Sequence, residues 1–417
     1  MKDYSYFYND RYSVLNYLYK IEEPHKDSSY SKCTQEEIAE ELNMSKTTAN
    51  KLINELIENN YLENGNMRGS YRITDKGHEM IGDLNEKQNT EKASHFNCIS
   101  LFAGVGGIEL GFRNAGFPTI YANEFDRKAA DTFEYNFDLK VDCRDVRLLA
   151  DDVQNNVDIF EGKKVNIILG GFPCQAFSIA GYRQGFKDEK GRGDLFFEIM
   201  RIAEKTNPEV IFLENVKNLK THDKGRTFKI IKQTLEDLGY HVHYKVLNSM
   251  EYGNVPQNRE RIYIVAFKDE KKFNEFHFPA PIPLTNTLHK VIDFDSKLDN
   301  RFYYTKEKFS HYDELSEAMT SQDTVYQWRR VYVRENKAGV CPTLTANMGT
   351  GGHNVPLVLT NTGIRKLTPK ECFSLQGYPD SYKLPDNMAL SALYKQAGNS
   401  VSVTVIQRIA EQILKVL

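Results

Sequence analysis

The chain has little that would tie it together covalently or anchor it in a bilayer. Its six cysteines (Cys33, Cys98, Cys143, Cys174, Cys341, Cys372) are scattered through 417 residues, with no Cys-x-x-Cys pair and no histidine at metal-ligand spacing. That argues against a disulfide framework and a structural zinc site; free thiols and no bound metal are expected. No apolar run approaches the ~20 residues of a membrane span. Met1-Lys-Asp-Tyr lacks the basic-then-apolar layout of a signal peptide, so a cytoplasmic protein with no membrane partner is expected. A net charge of -3 gives no global attraction for nucleic acid, which leaves that work to local basic patches. Tryptophan occurs once, and 40% hydrophobic with 27% charged residues is an ordinary soluble composition. The length calls for two or three domains.

The first ~90 residues differ from the rest. Thr34, with Glu37 three residues on, forms a capping-box signature ahead of a helix-periodic run, which Asn43-Met44 breaks. Ser45 then caps a second helix through Thr47, Asn50 and Leu52. Residues 61–74 contain two short strand-like pieces around Asn64-Gly65, a hairpin signal. Helix, turn, helix, hairpin is a winged helix-turn-helix pattern, expected over residues 1–88. In that reading Lys46, Thr47 and Asn50 face a major groove, and Arg68 and Arg72 on the wing meet phosphates. A domain that only packs or dimerises is the alternative. The polar stretch 83–94 reads as a linker, with 89–96 joining the domains.

Beyond it strand and helix patterns alternate. Strands are expected at 98–102, 118–122, 165–169 and 210–213, with a closing pair at 241–247 and 261–267. This predicts an α/β fold, a doubly wound and mostly parallel sheet. The rhythm fails between 276 and 363, where the chain is Pro-rich, then polar and aromatic, then Gly-rich, as a lobe inserted into the sheet domain would be. Regular patterning resumes at Ile364, so 97–275 and 364–417 are expected to form one domain, ending on an amphipathic helix.

Three places carry chemistry. Phe102-Ala-Gly104-Val-Gly106-Gly107 follows a strand and opens a helix, so its glycines admit a ligand close to the backbone. Glu109 stands where a dinucleotide fingerprint has its third glycine, which favours a nucleoside cofactor without a pyrophosphate. Glu124 follows the second strand, placed for ribose hydroxyls, and Asp145 is placed for an adenine amino group. Next, Cys174 in Phe172-Pro-Cys-Gln-Ala-Phe-Ser178 ends a strand where open α/β sheets hold their chemistry. A nucleophilic thiol needs a cationic setting, and strand alternation puts Gln257, Arg259 and Arg261 on one face to supply it. Glu214, in Leu213-Glu-Asn-Val216, ends a neighbouring strand; burial there raises its pKa and lets it donate a proton. Finally, Arg183 and Arg192 lie in a glycine-bounded basic loop, 181–193, that suits a lid over a polyanion, and Arg329 and Arg330 flank the tryptophan in the inserted lobe. Arg, Asn and Gln read base edges, so such a lobe is suited to grip DNA; Gln175, Ser178, Gln257 and Thr343 are further residues expected at DNA.

Together these motifs resemble, in order over residues 97–417, the DNA (cytosine-5) methyltransferases of bacterial restriction-modification systems. The resemblance also rests on Gly193-Asp-Leu-Phe-Phe197, Gln257-Asn-Arg259-Glu-Arg261, Thr343-Leu344, and Gln396-Ala-Gly-Asn-Ser-Val401. It implies a methyltransferase sheet with an inserted target-recognition lobe, and S-adenosyl-L-methionine bound at Phe102, Gly104, Gly106, Gly107, Ile108, Glu124, Asp145, Pro173, Leu195 and Asn399. It implies a Cys174 nucleophile assisted by Glu214, Arg259 and Arg261, acting on a cytosine flipped out of double-stranded DNA, with a monomer sufficient for methylation. Some relatives carry an N-terminal helix-turn-helix and repress their own operon, which makes operator DNA a second expected partner. An RNA (tRNA) cytosine-5 methyltransferase is the alternative enzyme.

Overall fold

A computed structural model describes residues 7, 10–25, 28–65, 67, 69–173, 195–350 and 354–417. They divide into two compact units, Met1–Lys92 and Ala93–Leu417.

In the first unit the helix Gln35–Glu41 starts on the expected capping box of Thr34 and Glu37, and the helix Lys46–Glu58 starts on Ser45, whose side chain accepts from the Thr48 amide. Asn43 at φ 50° makes the turn between them, a conformation asparagine tolerates better than most residues. Ala49, Leu52, Ile53 and Leu56 form the buried stripe of the second helix. The wing pairs β3 (Leu62–Asn64) with β4 (Ser70–Ile73). Its turn is longer than Asn64-Gly65 suggested, because Gly65 N donates to Ser70 O (2.8 Å) across the intervening residues. Two elements had no clear sequence signal, a helix Asp10–Lys20 and a hairpin of β1 (Glu22–His25) and β2 (Ser28–Lys32); the sheet order is β1-β2-β4-β3. The stretch read as a linker is helical, since Asp75–Ala93 is one helix. Met80, Ile81 and Leu84 are buried on it, and the polar remainder is rich in Glu, Lys and Gln, which favour helix as readily as coil.

The second unit is built on a seven-stranded sheet ordered β10-β12-β9-β8-β5-β6-β7. These strands are β5 (Cys98–Leu101), β6 (Thr119–Asn123), β7 (Val141–Asp142), β8 (Ile167–Gly170), β9 (Val210–Val216), β10 (His241–Asn248) and β12 (Glu260–Phe267). β12 runs antiparallel to both neighbours, and the other pairs are parallel. Successive residues of the apolar strands feed opposite cores. Ile168, Ile211 and Leu213 pack under helices Val146–Gln154 and Leu195–Thr206, whereas Ile167, Leu169, Val210 and Phe212 pack under Gly107–Asn114 and Val403–Val416. This is why the strands read as continuous hydrophobic runs. Strand order reverses between β5 and β8, so a crevice opens there at the carboxyl ends of the parallel strands, where such sheets bind ligands.

The inserted region holds a four-stranded sheet, β14-β13-β16-β17, of Val333–Glu335, Tyr326–Trp328, Leu357–Thr360 and Gly363–Lys366. β17 was expected to begin the return to the main sheet, but it pairs with β16 instead. A parallel pair of two-residue strands, β11 (Gln257–Asn258) and β15 (Cys341–Pro342), ties this region to the main domain. Among the described residues no helix is long and apolar enough to cross a membrane.

Candidate active site

At the end of β5 the chain turns sharply, with Phe102 at φ 59°, Gly104 at 57° and Gly106 at 84°. The three glycines differ in what surrounds them. A β-carbon on Gly106 would sit 2.3 Å from the Phe137 ring and one on Gly107 would sit 2.5 Å from the Tyr378 hydroxyl, so both are small because protein packs on them. Among the described residues a β-carbon on Gly104 would meet nothing within 4 Å, as a ligand cradle requires. Gly104 N donates to Glu124 Oε2 (2.9 Å) and Asp126 N to Oε1 (2.7 Å). The carboxylate is thus fixed across the mouth of the crevice, with its pKa raised by burial against the pull of those two amides.

Asn123 donates to the carbonyls of Asp142 (2.8 Å) and Arg144 (2.9 Å), holding the next loop beside Glu124. On that loop Asp145 caps its helix by accepting from Arg147 N and also pairs with the Arg147 guanidinium (2.8 Å). Ile108 is buried, 3.3 Å from where a Gly171 β-carbon would be, so the helix after β5 touches the end of β8. Pro173 is exposed next to it, Leu195 opens its helix half-buried, and Asn399 is exposed at the end of Leu390–Asn399. Phe125, which sequence reasoning did not single out, is 73% exposed immediately after Glu124. Glu109, at the missing third glycine, is wholly buried against Ser100 and pushed up to about 7 by burial. A group held there faces protein rather than a phosphate.

Glu214 lies inside β9, beyond the expected strand end, opposite Tyr263 of β12. It is buried, and Gly171 is close enough that a β-carbon there would lie 3.9 Å from Oε2. Arg261 Nε stands 3.1 Å from Oε1 but off the line of a hydrogen bond, leaving that buried oxygen without a hydrogen-bond partner among the described residues. Burial raises the Glu214 pKa, opposed first by Arg261 and then by Arg259. The next residue, Asn215, donates to Phe172 O (2.8 Å), so the Glu-Asn-Val segment grips the chain two residues before Cys174. Cys174 itself lies outside the described residues, as do Gln175, Ser178, Arg183, Arg192 and the whole loop 181–193.

The triplet Gln257, Arg259 and Arg261 does not act as one strand face. β11 pairs with β15 and β12 begins only at Glu260, so regular alternation does not run through 257–261. Gln257, expected at DNA, is wholly buried; it donates to Leu375 O (2.9 Å) and accepts from Leu344 N (3.2 Å). Arg259, expected beside the thiol and carboxylate, donates Nη1 to Leu344 O (2.9 Å) and Nη2 to the carbonyls of Gly398 (3.1 Å) and Ser400, leaving its buried Nε without a hydrogen-bond partner among the described residues. Its charge still reaches Glu214, but Arg261 is the near partner.

Thr343 is exposed and donates to Asn258 O (2.6 Å), so the Thr-Leu pair is held at the junction of lobe and sheet domain. Arg329 donates to Asn354 Oδ1 (3.2 Å), while Arg330 stands exposed at φ 72° on the β13–β14 turn. In the first unit Lys46, Thr47 and Asn50 are exposed on one helix; Lys46 pairs with Glu36 (3.2 Å), and Asn50 accepts from Gln35 (3.0 Å). Arg72 is engaged by Glu63 on the facing strand, and Arg68 lies outside the described residues.

The family model of C-5 cytosine-specific DNA methylases matches residues 96–415, and that of winged helix-turn-helix domains matches 28–92. The chain is 58% identical over 317 residues to type II methyltransferase M.Bsp6I of Bacillus sp. (strain RFL6), covering 76% of this chain and 98% of the relative. It is 38% identical over 328 residues to M.HhaI of Haemophilus parahaemolyticus, covering 76% and 93%. Among solved structures, a putative DNA modification methyltransferase encoded within a prophage of E. coli matches with a TM-score of 0.55 at 21% identity, covering 77% of this chain and 99% of that one. A DNMT2 variant from Spodoptera frugiperda matches with a TM-score of 0.58 at 18% identity, covering 76% and 99%. At those identities the structures speak for the fold alone. With its crevice at the β5/β8 reversal, its open Gly104 cradle and its buried Glu214, the chain belongs to the C-5 cytosine-specific DNA methylase family, enzymes that take a methyl group from S-adenosylmethionine, and it carries a winged helix-turn-helix domain before the catalytic one.

Proposed function

We propose that Cys174 adds to carbon 6 of a cytosine extruded from the duplex while Glu214 donates a proton to ring nitrogen 3. A buried carboxyl with a raised pKa is what such a donor needs. That geometry, beside the Gly171–Pro173 segment leading to Cys174, is the observation that carries the reading. Addition of the thiolate moves electron density to carbon 5, which then takes the methyl group. Loss of the carbon-5 proton restores the aromatic ring and expels the thiolate. The base must leave the stack for this, at a cost of about a few kcal/mol. Arg261 holds the Glu214 carboxyl, and Arg259 braces the chain at Leu344, Gly398 and Ser400.

S-adenosylmethionine supplies the methyl group when bound. The fit rests on Gly104, which leaves room for a ligand over the backbone, and on Glu124, aligned for ribose hydroxyls. Phe125 offers a face for the adenine ring, and Asp145 an acceptor for its amino group.

The biological role that follows is protection of host DNA from a cognate endonuclease. Bisulfite sequencing of DNA from a host expressing the chain should return 5-methylcytosine within one short recurring word. Methylation confined to tRNA, the alternative substrate, would overturn the reading.

The winged helix domain is proposed to bind operator DNA and repress the enzyme's own transcription, with Lys46, Thr47 and Asn50 toward the groove and the chain acting as a monomer in methylation. Placing Lys46→Glu with Thr47→Glu in the full chain should raise expression of a reporter under its promoter by about tenfold, because two carboxylates would then face the phosphates. Unchanged repression would sink this role.

A further inference from the structure

Glu109 is a wholly buried carboxyl with no part in the chemistry of Cys174 and Glu214. It sits in the first turn of the helix Gly107–Asn114, which the glycine loop 102–107 opens. Ser100 of β5, also wholly buried, donates its hydroxyl to Glu109 Oε1. Ser100 stands two strand residues before Phe102, about 7 Å along the chain, so the pair lies close behind the loop. Two tyrosines hold the same loop. Tyr382 donates to Val105 O (2.6 Å), and the Tyr378 hydroxyl, bonded to Ser400 Oγ, packs on Gly107.

No cation answers this carboxyl. Among the described residues Oε2 has no hydrogen-bond partner and Oε1 has only Ser100. Arg113, on the same helix, lies over the Phe137 ring (4.3 Å to its centre) and donates to Asn136 O (3.3 Å) instead. The Cys98 thiol and the Tyr378 and Tyr382 phenols feel Glu109, but burial pushes all three up and keeps them neutral. The helix Val403–Val416 presents the apolar Ile406 at Gly111. The remaining group is the Glu124 carboxyl, of like sign. Burial pushes the Glu109 pKa up to about 7, Ser100 and its own amide pull it down, and Glu124 adds to the rise. A buried acid without a counterion is ionised more readily once a positive charge arrives nearby.

S-adenosylmethionine brings such a charge on its sulfonium, whereas the product, S-adenosylhomocysteine, has a neutral thioether. We propose that Glu109 is a charge selector: its carboxylate, behind the glycine loop, favours the sulfonium donor over the neutral product. When the donor binds, Glu109 gives its proton to solvent; when the methyl group has gone and the sulfur is neutral, it takes a proton back. The selector acts through its field, without contact. Two unit charges about 10 Å apart, at an effective dielectric of about 20, change an equilibrium about tenfold. The preference is absent where Glu109 is protonated in both complexes and full where it is ionised in both, so it grows as pH rises. The inference rests on Gly104 and Glu124 forming the cofactor crevice.

Isothermal titration calorimetry on the full chain would give dissociation constants for both ligands in the parent and in Glu109→Gln. The titrations would be run at about pH 6 and about pH 8, on either side of the value of about 7. Comparing the two proteins at each pH cancels the ligands' own titrations. At the lower pH the preference for the donor should be the same in both; at the higher pH it should be about three- to tenfold greater in the parent. Near the midpoint, in buffers of different ionisation enthalpy, donor binding should release a fraction of a proton more from the parent than from the variant. Ser100→Ala withdraws a hydrogen bond from the carboxylate and should move the onset of the preference to higher pH, a reading that holds should Glu109→Gln fail to fold. Glu124→Ala should weaken both ligands; if it weakens neither, the cofactor reading fails and this role with it. A donor preference equal in parent and Glu109→Gln at both pH values, with the Glu124→Ala effect intact, would overturn the selector alone. Equal proton release, or an onset unmoved by Ser100→Ala, would do the same.

Discussion

A Cys174→Ser enzyme should lose methyl transfer by roughly 10⁴-fold or more, the scale seen when a nucleophile is removed from a preorganised site. The reaction needs an anionic sulfur to add to an aromatic ring, and a serine hydroxyl is barely ionised at neutral pH and is the weaker nucleophile once formed. Nothing in the substitution removes the lobe or the sheet, so duplex binding should persist in a gel-shift assay. Single-turnover transfer of labelled methyl groups to DNA is the deciding measurement. A rate close to that of the parent enzyme would show that the thiol is not the attacking group.

Glu214→Gln should lower kcat by roughly 10²–10⁴-fold, the range for loss of a general acid. The shape change is nearly the same, but an amide cannot hand over a proton. Burial pushes the Glu214 pKa up, with Arg261 and then Arg259 pulling the other way. The protonated, active form therefore persists at higher pH than in a free glutamate and is lost as pH rises through the raised value. The parent rate should fall as pH rises through the raised Glu214 value, and Glu214→Gln should abolish that falling limb. A falling limb that survives the substitution would assign it to another group.

The parallel strands were legible because both of their faces are buried, which writes them as apolar runs without alternation. The helix starts at Thr34 and Ser45 were legible because a cap is a contact over three residues. The same locality misled at 83–94, where a polar composition allows helix and linker alike, and it gave no sign of the hairpin β1–β2. The candidate site divides along the same line. Gly104 with Glu124, and Glu214 on its strand, follow from motif and spacing, whereas the separate duties of Gln257, Arg259 and Arg261 do not.

By itself the sequence determined which chemical groups the chain owns, the order in which they come and the elements that carry them, because propensity, capping and hydrophobic period act over a few residues. The tertiary structure alone decided that Arg261 rather than Arg259 lies against Glu214, that Gln257 is a buried brace and that β17 joins the lobe sheet. Each depends on segments that meet only after the chain has returned on itself, as when Arg259 binds carbonyls 85, 139 and 141 residues away. No local pattern encodes which of several distant partners a side chain will find; burial and pairing of the whole chain select it.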